Sequence, residues 1–121
     1  MVLKKGFCNL GFAKVDIDRQ RRRGFSEVIY CPGKSKIHLK KIAAELIKNK
    51  QDLIFTKLEK DTFTYLKKSF PRLKYNPLAR IGYFSAGRKV CKGGSVAVIS
   101  AGTSDIPVAE EAAVTLAAMG N

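Results

Sequence analysis

Metal and disulfide chemistry are the first things this chain is short of. It has one histidine and three cysteines in 121 residues. Cys8, Cys31 and Cys91 are odd in number, far apart and never spaced as Cys-x-x-Cys. They fit a reducing compartment better than a disulfide framework. With His38 as the sole histidine, a structural zinc site lacks ligands. No apolar run approaches the roughly 18 residues of a membrane span. The opening "MVLKKGFCNLGFAKV" has two lysines but no apolar stretch of signal length. The expectation is a soluble, cytoplasmic protein.

Basic residues are also missing from one end. Residues 1–94 carry all 23 Lys and Arg against 7 acids, a net of +16, whereas residues 95–121 carry no Lys or Arg and 3 acids, a net of −3. The change falls at Gly93-Gly94-Ser95, a turn-forming boundary. It divides the chain into a basic domain, 1–94, and an apolar, alanine-rich segment, 95–121. The overall net charge of +13 favours anionic partners of any kind. Nucleic acid is disfavoured among them, because aromatics do not interleave with the basic residues and no helix-turn-helix or zinc-finger spacing occurs.

The patterning predicts a small α/β layer structure. "SEVIYCPG", 26–33, is a β-favouring run ended by Pro-Gly. Ser35 can cap a helix over 36–49, where Leu39, Ile42, Ala43, Leu46 and Ile47 make one apolar stripe. "DLIFTKLE", 52–59, predicts a second strand. Asp61 or Thr62 then caps a short helix with Phe63, Leu66 and Phe70 at helical spacing, stopped by Pro71. "RIGYFS", 80–85, predicts a third strand. The tail "VAVISAGTSDIPVAEEAAVTLAAMGN", 96–121, reads as strand, glycine turn and helix, half of a βαβ unit that needs a further crossover to gain a parallel neighbour.

Several short motifs resemble chemistry. "PGKS", 32–35, lacks the first glycine of a phosphate loop, since position 28 is Val28; what is left is a turn and a helix N-terminus with Lys34 nearby, a generic anion site. His38 has no triad or metal partner in sequence, and Cys31 and Cys91 read as small packing residues. The stretch "VDIDRQRRRGFSEVIY", 15–30, has the spacing D-x-x-R-x-x-R-x-G-F-x-E. If it is helical, Asp16, Arg19 and Arg22 share a face. The arginines could fork onto a phosphate, or close an internal network with Asp16 and Glu27.

That motif, "PGKS" and the distal A-G-T-S-D-x-P-V-A-E-E-A together resemble the LarB family, the carboxylase and hydrolase of nickel-pincer nucleotide biosynthesis. The distal turn also resembles the nucleotide loop of PurE, the carboxylase or mutase of aminoimidazole ribonucleotide. Ser26 and Ser35 depart mildly from the usual proline and threonine. The resemblance implies a basic N-terminal domain followed by the first βα unit of a doubly wound PurE-like domain that is cut short here. It further implies that a nucleotide meets Ala101, Gly102, Thr103, Ser104 and Asp105 at the carboxyl end of the strand. Gly102 would admit a phosphate to the backbone, and Ser104 and the helix amides would donate to it. Asp105 would accept from a ribose hydroxyl, or merely cap the helix starting near Pro107.

The implied reaction is carboxylation of the pyridinium ring of nicotinic acid adenine dinucleotide, then hydrolysis of its phosphoanhydride to release AMP. The ring must first accept a nucleophile before attacking CO2, and the family's cysteine for that step falls outside this chain. No catalytic residue and no metal ligand is therefore assigned, and the chain alone is expected to be inactive. The implied partners are the dinucleotide as substrate, CO2 or bicarbonate as co-substrate, Mg2+ as a candidate ion, no tightly bound cofactor, and further copies of the full-length protein in a homo-oligomer. Arg19 and Arg22 join residues 102–105 as substrate-binding candidates. Two alternatives stand beside this reading: a PurE-like carboxylase of an imidazole ribonucleotide, and a non-enzymatic basic nucleic-acid-binding module.

Overall fold

Where the sequence places its first strand, Pro32 and Gly33 decide how it ends. β4, Glu27–Tyr30, gives way to a turn in which Lys34 N donates to Cys31 O at 3.0 Å and Gly33 takes φ +81°. Proline followed by a positive-φ glycine is the type II signature. The computed structural model describes residues 2–4, 6–17, 26–87 and 93–121. Ser35 then caps α1, Lys36–Lys48, its hydroxyl accepting from His38 N at 3.1 Å. Leu39, Ile42, Ala43 and Leu46 are buried along one stripe, as their spacing predicts, with Ile47 half-buried beside them.

Because α1 carries the chain over the sheet, the next strand, β5 (Leu53–Thr56), pairs in parallel with β4, Val28 opposite Ile54. β7, Ile81–Phe84, returns antiparallel to β5, and β6, Lys74–Asn76, pairs with β7, giving the order β4-β5-β7-β6. The short β6 is absent from the sequence reading, since Lys-Tyr-Asn has no alternation to detect. A three-stranded antiparallel sheet of β1 (Val2–Lys4), β2 (Phe7–Asn9) and β3 (Lys14–Val15) is also additional to that reading. It brings Val15 into the main core, alongside α1.

The helix after β5 starts earlier than its cap candidates suggest. α2 is Lys60–Ser69, and its N-cap is Glu59, which holds the extended conformation (φ −76°, ψ 148°). Asp61 and Thr62 are already helical, and Asp61 turns its carboxylate to Lys36 Nζ at 3.1 Å. That ammonium holds the Asp61 carboxyl below its ordinary range. Phe70 N closes the last turn on Leu66 O before Pro71 forbids another.

One face of the sheet packs Leu53, Phe55 and Phe84 with Leu39, Leu46 and Leu66 of the helices and with Leu58 and Leu73. Gly82 is a condition of that packing, because a Cβ there would lie 2.5 Å from Leu58 Cδ2. The opposite face presents Ile54, Ala79 and Ile81, and α3, Ile106–Ala118, lies on it through Val114, Ala118 and Met119. Lys57 Nζ to Glu111 Oε2 at 2.6 Å and Asn76 Nδ2 to Glu110 Oε1 at 2.8 Å fasten the helix. The strand expected at 96–100 does not form: those residues carry no ladder, and Ile99 is 91% exposed. A strand exists only where a neighbour accepts its backbone hydrogen bonds, and the described residues offer it none.

Two stability outcomes follow from this packing. Gly82→Ala is expected to cost about 1–3 kcal/mol, since the buried Leu58 must leave its rotamer, and a urea titration would show it. Lys50 sits at the residue after the Asn49 C-cap of α1 with φ 56°, its N–H on Ile47 O and that of Gln51 on Leu46 O. This is a Schellman motif with lysine where glycine is favoured. Lys50→Gly is expected to raise stability by up to about 1 kcal/mol, and a lowered melting temperature would contradict the assignment.

Candidate functional site

Residues 101–105 form the turn that introduces α3, and all five are exposed. Gly102 holds φ +83°, which only glycine adopts without cost, and a 3-10 turn over Thr103–Asp105 follows it. Gly102, Thr103, Ser104 and Asp105 are thus brought together on one exposed turn. Asp105 occupies the N-cap position of α3, but its side chain makes no capping hydrogen bond. The reason is conformational. A capping residue reaches back from the extended region, whereas Asp105 is already helical (φ −90°, ψ −9°). Pro107 in the first turn removes one amide that would have needed a partner. The carboxylate is therefore not consumed by the helix it precedes.

Arg19 and Arg22 lie outside the described residues, as does Cys91. Asp16 and Glu27, which flank the arginines in the motif, are both half-buried.

A second feature comes from the β4–β5 edge. The turn after β4 and the segments next to β5 and β7 enclose a cleft of about 380 Å3 lined by Lys34, Lys57, Glu59, Thr62 and Arg80 among others. Lys34 Nζ folds back on Tyr30 O at 2.7 Å. Lys57 and Arg80 both take left-handed backbone, φ 53° and 54°, uncommon outside glycine. Leu58 N donates to Arg80 O at 2.8 Å, which binds the end of β5 to the start of β7, and the Arg80 guanidinium pairs with Glu59. Lys34 is visible in the sequence through "PGKS". Lys57 and Arg80 are not, since two cations among 23 carry no local signal until the sheet juxtaposes them.

The thiols behave as packing groups. Cys31, at the cleft margin, is buried, and desolvation pushes its thiol up to about 12 despite the opposing charge of Lys34. Cys8 is buried too, and its thiol is raised first by burial and then by its hydrogen bond to Glu45. Neither supplies a thiolate near neutral pH. His38 stacks on Phe12 with ring centroids 4.0 Å apart and planes 8° from parallel. Among the described residues no group of three metal-ligating side chains converges, and no helix is long and apolar enough to cross a membrane.

Comparison with known proteins agrees with the sequence resemblance. A family model described as the LarB/PurE-like N-terminal domain matches residues 7–86, which contain the whole of the β4-β5-β7-β6 sheet and the cleft. An uncharacterized protein of Methanocaldococcus jannaschii is 36% identical over 113 residues, covering 88% of this chain and 44% of its own length. The chain thus spans less than half of that relative. On the family match across most of its length, this chain is a member of the LarB/PurE-like family, of which it contains the N-terminal domain.

Proposed function

We propose that this chain serves a LarB-type reaction, the carboxylation of the pyridinium ring of nicotinic acid adenine dinucleotide by CO2 or bicarbonate followed by hydrolysis that releases AMP. In this reading residues 1–94 are a basic domain suited to a substrate with two phosphates, and residues 95–121 open the nucleotide-binding domain. The observation that carries it is the state of the 101–105 turn: Gly102 is left-handed and Asp105 makes no cap bond, so the turn keeps its polar groups facing solvent.

Chemically, the turn would bind and orient rather than react. Gly102 leaves room for a phosphate against the backbone, Ser104 and the first amides of α3 donate to its oxygens, and the Asp105 carboxylate accepts from a ribose hydroxyl. Arg19 and Arg22 would fork onto a phosphate. Mg2+ would screen the phosphates; no cluster of described side chains fits it, so it is assigned no protein ligands and no step. A cytoplasmic location and homo-oligomerisation of the whole protein belong to the same proposal.

Titration of nicotinic acid adenine dinucleotide into the chain, with RNA as competitor, tests the reading. Saturable binding is expected, weakened roughly fivefold by Asp105→Asn, the loss of about 1 kcal/mol for a charged acceptor made neutral. The melting temperature should not move, since no capping bond is lost. Arg19→Lys and Arg22→Lys, which keep the charge and remove the fork, should also weaken binding without lowering the melting temperature. Binding that RNA abolishes and that falls steeply with salt would favour a nucleic-acid module instead.

A second outcome concerns turnover. With no catalytic residue assigned, and with Cys8 and Cys31 buried and their thiols raised, the purified chain should release no AMP from the dinucleotide. Detectable AMP release would overturn this part of the proposal.

A further inference from the structure

Three cations from three separate elements meet where β4 and β5 end. Lys34 comes from the Pro32-Gly33 turn, Lys57 directly follows β5, and Arg80 directly precedes β7; all three line the 380 Å3 cleft. In an open α/β sheet the carboxyl ends of parallel strands are where ligands bind. We infer that this cleft is a phosphate-binding site, taking a phosphate monoester or free phosphate on Lys34, Lys57 and Arg80, with Thr62 as a further donor.

The charge balance supports an anion. Of the lining residues only Glu59 is acidic, and its pair with Arg80 is exposed on both sides, 45% and 64%, so it is weak and readily shared. A guanidinium has five N–H donors, and Glu59 uses only part of them. Lys57 lines the cleft while its ammonium pairs with Glu111 Oε2 at 2.6 Å, a partly exposed ion pair that an anion can compete for. α2 begins at the cleft with no side-chain cap bond at Glu59, so its dipole adds positive potential to the same place, with the Thr62 amide already donating to Asp61 Oδ1 at 2.9 Å. Lys57 and Arg80 are also positions where glycine would suit the backbone better, and both carry long cationic side chains instead. The site lies wholly within residues 31–80 and does not depend on the 101–105 turn.

Inorganic phosphate, titrated into the 15N-labelled chain at constant ionic strength, tests it by amide chemical shifts, with AMP in a parallel series. Saturable shifts are expected at residues 33–34, 57–62 and 80. Lys34→Ala and Arg80→Gly should each weaken binding about tenfold, the loss of one charge-assisted contact. Arg80→Gly should melt no lower than the unaltered chain, because φ 54° suits glycine; if it does, Lys34→Ala, on an exposed turn, decides alone. Lys68→Ala, an exposed charge on α2 outside the cleft, should leave affinity unchanged. Tighter binding of AMP than of phosphate identifies a nucleotide as the source of the group, and equal binding identifies free phosphate. Shifts spread over the basic surface without saturation, or equal weakening by Lys68→Ala, would overturn the site.

Discussion

Four residues of β4 run parallel to four of β5, and that pairing constrains everything around it. Parallel neighbours cannot be joined by a tight turn, so α1 must cross the sheet between them. The crossing requires one apolar stripe, which Leu39, Ile42, Ala43 and Leu46 provide. It also brings the carboxyl ends of both strands to one edge. β7, antiparallel to β5, begins at that same edge, so Arg80 arrives beside Lys57 although 23 residues separate them in the chain. The cleft is thus a consequence of strand direction, not of any local motif.

The two faces of the sheet are covered unequally. On the α1 and α2 face the fully buried Leu46, Leu53, Phe55, Leu58 and Leu66 each contribute about 1.5–3 kcal/mol, before the cost of ordering them. On the other face α3 has no residue in the buried class and meets the sheet through Val114, Ala118 and Met119. Its polar anchors, Lys57–Glu111 and Asn76–Glu110, set its position more than its strength. α3 is accordingly held less firmly than α1, and it carries the 101–105 turn. Glu111 lies about 9 Å along the helix from Asp105, so Lys57 links the cleft edge to the helix that carries the turn.

How much of this the sequence discloses depends on segment length. α1 is legible because thirteen residues sample the helical period several times and Ser35 marks the start. β4, β5 and β7 are legible as β-favouring runs. Strands of two or three residues, such as β3 and β6, are not, since so short a stretch has no period. The cap of α2 is misplaced because Asp61, the better capping residue by type, is drawn to Lys36, and Glu59 holds the extended backbone instead. Residues 96–100 have strand composition but pair with no strand among the described residues, and pairing decides. The 102–105 turn was readable from its motif, whereas the Lys57 and Arg80 contribution exists only through the sheet. Arg19 and Arg22 fall outside the described residues, so their roles rest on motif alone.

Amide hydrogen exchange on the 121-residue chain tests most directly whether the β4–β5 edge organises both the cleft and α3. The account predicts slowest exchange in β5, intermediate protection across 106–118, and a loss of protection confined to 106–118 in Lys57→Ala, which removes the anchor to Glu111 without touching the core. Exchange of 106–118 at unstructured rates in the unaltered chain, with β4 and β5 fully protected, would contradict it.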